Sequence, residues 1–325
     1  MNNNNKTEIK FDIYDSFAPI VTTKACFDDL RVHADHVSRS PSDTYYVNSD
    51  HVLRTHTSAH QTELMKRGAE NFLCSGDVYR RDEIDSSHYP VFHQMEGVRT
   101  FGDEIHGMTA EEAKQLAEKE LKDILSGLAR HMFGDVEMRW NEDYFPFTEP
   151  SFELEIQFEG KWLEVLGCGV VHDEVYANAG KGGRIGWAFG LGLERLAMVL
   201  FGIPDIRLFW TDDDRFHSQF TKGNLNKFTP YSKYPLCYKD VSFWLPEDKV
   251  IHVNDIYEVI REVGGDLVEK VELFDEFFNV KKSKTSHAYR ISYRHMSKNL
   301  TNEEVDALQW EVRDRLVHKL GVILR

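Results

Sequence analysis

The alternation of apolar and polar residues at positions 152–159 is the pattern that most restricts the fold. Apolar side chains there occupy every second position, at Phe152, Leu154, Ile156 and Phe158. A period of two is typical of a β-strand with one buried face. Gly160 follows, and a second apolar segment continues to Gly169. We therefore predict an antiparallel hairpin at Phe152–Gly169, with one face packed against a core.

Length and composition exclude several classes of protein. The 325 residues suggest two domains, at about 100–200 residues per domain. A content of 41% hydrophobic and 29% charged residues is typical of a globular protein. No apolar segment reaches the ~18 residues of a membrane-spanning helix, and the opening MNNNNK shows no targeting signal. The four cysteines form no CxxC pair, which argues against a zinc site and a disulfide framework and favours reduced thiols.

Helix start signals and turn residues divide the chain into two parts. Capping boxes precede predicted helices at Ala110–Phe133 and Asn302–Leu320. Residues 224–235 are polar and contain two prolines, so we place a domain boundary near Gly223–Lys233. Beyond it the predicted order of elements is βαββαβ, the ferredoxin-like split motif, and its second strand is predicted at about Leu267–Phe274. The predicted domains are residues 11–228 and 231–325.

The charge of the chain is acidic in total but uneven. The net charge is −15, from 39 Lys and Arg against 54 Asp and Glu, which argues against a dedicated nucleic-acid binder. Residues 277–302, however, contain no acid, and we call this segment the basic stripe. Such a stripe either binds an anionic partner or is a solvated loop. Its basic residues are Lys281, Lys282, Lys284, Arg290, Arg294 and Lys298.

Residues 76–98 combine arginines, acids, histidines and a glutamine. Strand alternation places Phe92, Gln94 and Glu96 on one face. An aromatic ring beside an amide and a carboxylate suits a site that stacks a ring and binds an ammonium group. The alternative interpretation is a charged surface hairpin.

A second informative segment carries Gly190 and Gly192 ahead of a helix that is predicted to begin near Arg195. Glycine allows a backbone or a ligand to approach closely. A guanidinium at the start of a helix favours phosphate binding, because both groups attract anions. The alternative for a GxG pattern is an ordinary packing turn between a strand and a helix.

These two segments together resemble class II aminoacyl-tRNA synthetases. Residues 79–82, with His88 and residues 92–96, resemble motif 2 of that class. Residues 190–195, with the sequence GLGLER, resemble motif 3.

Three further runs narrow the resemblance, namely HTSAHQ at 56–61, YFPFTEP at 144–150 and EVLGCG at 164–169. They resemble phenylalanyl-tRNA synthetases of the single-chain, mitochondrial type, whose anticodon-binding domain the C-terminal module also resembles. The resemblance implies an α+β fold, with an antiparallel-sheet catalytic domain and a ferredoxin-like anticodon-binding domain. It also implies ATP-dependent activation of phenylalanine with Mg²⁺ and transfer to tRNA(Phe), which needs positioning and charge neutralisation rather than a nucleophile.

The resemblance also implies roles for individual residues. Arg80 is expected at the α-phosphate and Arg195 at the triphosphate, as the catalytic residues. The expected ATP contacts are Arg80, Ser87, His88, Tyr89, Phe92, Gly192 and Arg195. The expected amino-acid pocket comprises His56, Ser58, Ala59, His60, Gln61, Gln94, Met95, Glu96, Phe145, Phe147, Glu164, Ala188 and Phe189. The expected tRNA contacts are Lys281, Lys282, Lys284, Arg290 and Arg294.

Within that pocket, Gln94 and Glu96 are expected to hold the substrate ammonium group. Phe145 and Phe147 are expected to form an edge-to-face wall for the substrate ring, above Ala188 as the floor. Core packing is the alternative for these two phenylalanines. The resemblance leaves the metal ligands open.

One departure concerns motif 1. Residues 19–22 resemble the motif 1 strand, but no motif 1 helix is recognised, and we expect a monomer because class II enzymes commonly dimerise through motif 1. The alternative function is a non-catalytic paralogue that binds tRNA or phenylalanine. The resemblance also implies a mitochondrial matrix location.

Overall fold

The computed structural model describes residues 9–221, 226–230, 234–281 and 283–325. These described residues form fourteen strands and eight α-helices. The strands are β1 (Asp12–Tyr14), β2 (Ile20–Thr22), β3 (Tyr46–Asn48), β4 (His51–Leu53), β5 (Asn71–Tyr79), β6 (Val91–Thr100), β7 (Met138–Asp143), β8 (Thr148–Phe158), β9 (Lys161–Val171), β10 (Gly186–Gly192), β11 (Cys237–Trp244), β12 (Val268–Asn279), β13 (Lys284–Tyr293) and β14 (Ile323–Leu324). The helices are α1 (Thr23–Cys26), α2 (Gln61–Lys66), α3 (Ala110–Phe133), α4 (Asp173–Asn178), α5 (Leu193–Phe201), α6 (Asp214–His217), α7 (Val253–Gly264) and α8 (Asn302–Leu320).

The chain forms two compact units. The first contains the described residues up to Tyr79 together with Val91–Leu196. The second contains Arg80–Pro90 and the described residues from Ala197 onward. Residues 222–225 and 231–233 lie outside the described residues, so the predicted domain boundary near residues 223–233 stays a prediction.

A seven-stranded sheet dominates the first unit, in the order β1-β5-β6-β10-β9-β8-β7. The β1–β5 pair is parallel, and each of the other neighbouring pairs is antiparallel. The predicted hairpin is present as β8 and β9, with Phe158 opposite Lys161. Helix α3 begins at a complete capping box of Thr109 and Glu112 and packs on one face of the sheet. Buried α3 residues such as Leu121 and Leu125 join Trp187 there in one hydrophobic cluster.

The other face of this sheet carries the site. A second hydrophobic cluster lies there, built from sheet residues such as Phe72 and Val98 and from the segment around Phe27 and Leu30. A small sheet with the order β2-β4-β3 belongs to the same unit. Its strand β2 (Ile20–Thr22) contains three of the four residues that resemble the motif 1 strand.

The second unit contains a four-stranded antiparallel sheet in the order β12-β13-β11-β14. Helices α7 and α8 contribute Ile260 and Leu316 to its core, which also buries Tyr289 and Tyr293. This order confirms the predicted ferredoxin-like arrangement, and the α+β fold class is confirmed as well. Among the residues that the structure describes, every helix is too short or too polar to cross a bilayer.

Candidate active site

The register of three strands places the predicted polar residues on one face of the large sheet. Gln94 of β6 lies between Gly76 of β5 and Gly192 of β10. Glu96 lies between Cys74 and Gly190 in the same way. Directly opposite residues in an antiparallel pair share a face, so each polar side chain has at least one glycine beside it. The β10 glycines leave room for a ligand over Gln94 and Glu96.

The glycines on this face differ in what surrounds them. A Cβ atom added to Gly190 or Gly192 would meet no other atom within 4 Å, so the space above them is open. A Cβ added to Gly167 on β9 would lie 2.8 Å from the ring of Phe145. The Phe145 ring therefore packs directly on the sheet, and the Phe147 ring lies 6.0 Å from it at an interplanar angle of 15°. Ala188, 6% exposed, lies on the same face as Gly190.

Glu96 is the most unusual ionisable group of the site. It is only 3% exposed, and the hydroxyl of Ser58 donates a hydrogen bond to its Oε2. Burial raises the pKa of Glu96 to about 7, although the Ser58 hydrogen bond opposes that change. A buried carboxylate needs a cation or several donors to remain ionised. This carboxylate is suited to receive a positively charged group from a ligand.

The run from Ser58 to Gln61 approaches Glu96 from one side. It forms the 3₁₀ turn Thr57–His60 and the first turn of α2, and all of its residues are buried. Gln61 is 2% exposed, and its Oε1 has no hydrogen-bond partner among the described residues. His56 precedes the turn, and its ring lies 6.1 Å from that of Phe147. An unsatisfied amide oxygen in this place can accept a hydrogen bond from a ligand.

A buried arginine that the sequence analysis did not identify holds this run in place. Arg54 is 1% exposed and donates to the main-chain oxygen of Asp77 (2.6 Å), to the Asp77 carboxylate (2.9 Å) and to Nε2 of His60 (2.9 Å). Burial, with the charge of Arg54, lowers the pKa of His60 to about 4, so His60 is a neutral acceptor. Its ring also stacks on Phe17 at 4.4 Å. His60 and its neighbour Ala59, both buried, thus support the pocket.

Two predicted pocket residues lie on the opposite face of the sheet. Phe189 is 7% exposed and packs in the cluster that contains Trp187, and Met95 packs against the same cluster. Alternation along β6 and β10 requires this, because each is adjacent in sequence to a residue of the site face. The structure therefore does not bring Met95 and Phe189 together with Gln94 and Glu96. They belong to the core behind the pocket.

The motif 3 segment leads from the sheet face into α5. Nη1 of Arg195 lies 3.1 Å from Oε2 of Glu164 on β9, and both side chains are about half exposed. The preceding Glu194 is 5% exposed, and it accepts hydrogen bonds from the His93 main-chain N–H (2.7 Å) and ring Nδ1 (2.6 Å). Glu194 therefore fixes the start of α5 to β6, next to half-buried Phe92. The sequence analysis did not identify Glu194, although its position directly before Arg195 in the GLGLER run could have indicated it.

The predicted ATP-contacting residues of the loop 80–90 lie in the second compact unit. Arg80 is half-buried, and Ser87 is exposed. Tyr89 stacks on Trp210 at 5.5 Å and donates to Asp266 at 2.8 Å, and burial, with Asp266, raises the pKa of Tyr89 to about 12. Within this unit the neighbouring Arg81 pairs with Asp255 (3.0 Å). The ferredoxin-like module thus holds the loop.

The same loop contains a group of three potential metal ligands, Glu83, Asp85 and His88. The hydrogen bond to Asp85 raises the pKa of His88. Burial raises the pKa of Asp85, but the hydrogen bonds from His88 and Ser87 outweigh it, and the pKa falls well below its usual range. The Asp85 carboxylate already accepts these hydrogen bonds from Ser87 and His88, so we assign no metal ion to this group.

The basic stripe is largely paired with acids at the surface of the second unit. Arg290 donates two hydrogen bonds of 2.9 Å to Asp240, and its exposed side chain also lies over Phe274. Lys284 pairs with Glu247 (3.2 Å) and Arg294 with Glu269 (3.0 Å). Lys281 is exposed, and Lys282 lies outside the described residues.

Comparison with known proteins agrees with this geometry. Residues 6–220 match the family of class II core domains of tRNA synthetases, and residues 232–325 match the ferredoxin-fold anticodon-binding domain. Over 317 residues the chain is 58% identical to the chloroplastic/mitochondrial phenylalanine–tRNA ligase of Arabidopsis thaliana. The aligned residues make up 97% of this chain and 73% of the relative. The mitochondrial phenylalanine–tRNA ligase of Dictyostelium discoideum is 50% identical over 364 residues, with 98% and 80% coverage. That of Mus musculus is 51% identical over 342 residues, with 96% and 75% coverage.

The predicted resemblance is thereby confirmed for both parts of the chain. The alternative of a non-catalytic paralogue finds no support, because these relatives are named as ligases. The chain belongs to the phenylalanine–tRNA ligase family of class II aminoacyl-tRNA synthetases.

Proposed function

We propose that this chain activates phenylalanine with ATP and transfers it to tRNA(Phe). The observation that carries the proposal is the buried carboxylate of Glu96 on the sheet face that Gly190 and Gly192 leave open. An ionised carboxylate in such a place is stable only beside a cation. The ammonium group of an α-amino acid supplies that cation, and the Gln94 amide lies on the same face two residues away.

Recognition of the substrate side chain is proposed for the apolar end of the same face. Phe145 and Phe147 offer two rings, and Ala188 offers a small floor. An aromatic substrate ring gains ~0.5–1.5 kcal/mol per aromatic contact beyond simple burial. The buried Gln61 amide and His56 complete the lining as polar groups that orient the substrate. An aromatic α-amino acid fits both ends of this arrangement.

Arg195 and Phe92 are the proposed ATP contacts of the first unit. The Arg195 guanidinium is half exposed and pairs at the surface with Glu164, so the triphosphate can replace that partner. Phe92 is proposed to stack the adenine. Arg80, Ser87, His88 and Tyr89 keep the ATP roles that motif 2 predicts for them. Adenylate formation then consists of attack by the substrate carboxylate on the α-phosphate, with departure of pyrophosphate.

Two acidic residues, on β8 and β9, are the proposed holders of a magnesium ion. Burial raises the pKa of Glu153, and the negative charges of Glu164 and Asp143 raise it further. Carboxylate oxygens are the ligands that Mg²⁺ prefers, so Glu153 and Glu164 are the proposed metal-holding residues. When bound, Mg²⁺ would neutralise charge on the triphosphate.

The remaining parts of the proposal concern the partners and location of the enzyme. The ferredoxin-like module and its basic stripe support binding of tRNA(Phe), with residues 231–325 as the anticodon-binding domain and residues 11–228 as the catalytic domain. The names of the relatives support a mitochondrial location. We also propose that the enzyme acts as a monomer, as expected for the single-chain type.

Phenylalanine-dependent exchange of pyrophosphate into ATP tests the proposal directly. The purified chain should catalyse exchange with phenylalanine and should then charge tRNA(Phe). Leucine in place of phenylalanine is the control for the ring pocket and should give little exchange. Absence of exchange with phenylalanine and Mg²⁺, in a chain shown to be folded, would reject the proposed function.

A further inference from the structure

The buried guanidinium of Arg54 joins three separate segments of the first compact unit. Its Nε donates to the Asp77 main-chain oxygen at 2.6 Å, and its Nη2 donates to the Asp77 carboxylate at 2.9 Å. Its Nη1 donates to Nε2 of His60 at 2.9 Å and to the Phe17 main-chain oxygen at 3.3 Å. A planar set of donors of this kind is particular to arginine, because a lysine ammonium is a single point charge. All three nitrogens of the side chain are engaged, and their directions fix the three segments relative to one another.

This guanidinium also borders the proposed ammonium site. A Cβ atom added to Gly76 would lie 2.1 Å from Nη2 of Arg54, so the guanidinium occupies the space above that glycine. Gly76 lies directly opposite Gln94 in the β5–β6 pair, whereas the space above Gly192, on the other side of Gln94, is open. Arg54 is only 1% exposed, so it does not itself reach a ligand. Any effect of Arg54 on the reaction must pass through the residues that it holds.

One contact of Arg54 fixes the run that lines the pocket. His60 is the last residue of the 3₁₀ turn that carries Ser58, and Ser58 donates to the buried carboxylate of Glu96. His60 accepts from Arg54 through Nε2, and its ring stacks on Phe17 at 4.4 Å. Because the Phe17 main-chain oxygen also accepts from Arg54, the three residues form a closed cluster. This cluster holds the turn of Ser58 against the sheet.

The other contacts of Arg54 fix the end of strand β5. Asp77 accepts two of its hydrogen bonds, and the Arg54 main-chain oxygen accepts from the N–H of Tyr79 at 2.9 Å. The Tyr79 hydroxyl bonds to the same Asp77 carboxylate, and burial together with this hydrogen bond raises the pKa of Tyr79 to about 12. Tyr79 is the last residue of β5, and Arg80, the expected α-phosphate contact, follows it directly. Arg54 thus fixes the point at which the chain leaves the sheet toward Arg80.

We propose that Arg54 is a positioning residue for adenylate formation, which holds the phenylalanine pocket and the strand end before Arg80 in one fixed arrangement. The inference rests on the proposed function, which requires the substrate carboxylate and the α-phosphate to meet at one place. A displacement of about 1 Å between reacting groups can lower a rate about 100-fold. The alternative is that Arg54 serves stability alone, which predicts a less stable enzyme whose folded molecules react at the normal rate.

Arg54→Lys separates these two roles, because it keeps the positive charge beside Asp77 but lacks the fork that also reaches His60. Pyrophosphate exchange on the full-length chain, at saturating ATP and varied phenylalanine, gives kcat and KM. We expect kcat to fall about 100-fold and the KM for phenylalanine to change by less than about 5-fold, since the ammonium-binding residues of β6 remain in place. A loss confined to kcat is the signature of displaced reacting groups rather than of lost substrate binding.

Arg99→Lys is the matched control. Arg99 is also a buried arginine of the first unit, at 4% exposure, and it pairs with two acids, Glu104 and Glu120. Because Glu120 belongs to helix α3, the Arg99 side chain lies on the face of the sheet opposite the site. Arg99→Lys should lower the temperature of thermal unfolding, as Arg54→Lys does, but should keep the wild-type kcat.

Wild-type kcat in folded Arg54→Lys overturns the inference, and so does an equal fall of kcat in both lysine variants. If Arg54→Lys does not fold, Asp77→Glu decides the question alone, since it keeps the charge and moves a half-buried carboxylate by one methylene. It should lower kcat about 10-fold, and wild-type kcat in this variant also overturns the inference. Absent exchange in the folded wild type rejects the proposed function instead, so the failures of the two proposals are distinguishable.

Discussion

The hydroxyl of Ser58 donates a hydrogen bond to Oε2 of Glu96, and both residues are buried, at 8% and 3% exposure. Ser58 lies in the 3₁₀ turn Thr57–His60, and Glu96 lies in the middle of β6. The hydrogen bond favours the ionised carboxylate, but burial outweighs it and raises the pKa to about 7. Glu96 therefore changes its charge near neutral pH.

The first prediction is that phenylalanine binding depends on the ionisation of Glu96. Affinity for phenylalanine should rise as the pH increases through about 7, because only the carboxylate attracts the ammonium group. Glu96→Gln should weaken binding by about 100-fold, since it leaves a buried cation without its partner. Isothermal titration at several pH values measures both effects.

The control for this prediction is Glu118→Gln on helix α3, where the carboxylate makes an ordinary surface pair with Lys122. It should bind phenylalanine as the wild type does at each pH. An affinity that stays constant between pH 6 and pH 8 would show that Glu96 does not receive the ammonium group.

The second prediction concerns stability without substrate. A carboxyl group whose pKa rises from 4.5 to about 7 on folding makes the protein less stable as the pH rises through that window. Glu96→Gln removes this penalty and can still accept the Ser58 hydrogen bond. The variant should thus be more stable than the wild type by up to roughly 3 kcal/mol at pH 8, and the difference should vanish near pH 4. Denaturant unfolding at the two pH values measures it, and an equal difference at both would contradict the assigned cause.

The third prediction contrasts two glycines that flank Gln94. At Gly192 an added Cβ meets nothing within 4 Å, so Gly192→Ala should fold normally but should lower the rate of adenylate formation by occupying ligand space. At Gly76 the added Cβ would lie 2.1 Å from a guanidinium nitrogen of buried Arg54. Gly76→Ala should therefore destabilise the fold by about 1–3 kcal/mol. Thermal unfolding and pyrophosphate exchange on both variants check this, and full activity of Gly192→Ala would place the ligand elsewhere.

The fourth prediction concerns the two motif arginines. Arg80→Ala and Arg195→Ala should each reduce adenylate formation by about 10²–10³, as loss of a transition-state donor does. Binding of phenylalanine without ATP should change little. The matched control is Arg184→Ala, which removes an exposed ion pair with Glu70 in the first unit. Single-turnover kinetics measure the rates, and wild-type rates in either variant would contradict the assigned roles.

Local sequence signals predicted the helices more accurately than the strand ends. The capping boxes at Thr109 and Thr301 placed the helices at Ala110–Phe133 and Asn302–Leu320, with the bounds that the structure shows. Strand β12, predicted to end at Phe274, continues to Asn279. Its later residues are mostly exposed and carry no clear alternation, and pairing with β13 extends the strand. Such pairing depends on distant residues, which no local pattern records.

The sequence predicted only part of the candidate site, because some of its contacts also depend on residues that are distant in the chain. Alternation along β6 correctly placed Gln94 and Glu96 on one face, because both lie in a single strand. The supporting contacts of Arg54 with Asp77, and of Glu194 with His93, join residues 23 and 101 positions apart. Those contacts follow from the order and register of the strands, which a single sequence does not specify.

The last prediction is that tRNA binding depends on the basic stripe. Replacing Lys281, Lys282, Lys284 and Arg290 by glutamine should weaken tRNA binding. The slope of log affinity against log salt should fall by about 0.7 for each phosphate that the variant no longer neutralises. The pairs of Lys284 with Glu247 and of Arg290 with Asp240 are exposed, so phosphates can compete for these cations at little cost.

The matched control replaces four basic residues of helix α3 by glutamine, namely Lys114, Lys119, Lys122 and Arg130. It changes the net charge equally but leaves the stripe intact, so it separates local binding from the general repulsion between a more acidic protein and RNA. Adenylate formation should persist in both variants, because the substituted residues lie outside the proposed phenylalanine and ATP sites. If filter binding shows that the tRNA affinity of the two variants falls equally, or not at all, the stripe is a solvated surface and does not bind tRNA specifically.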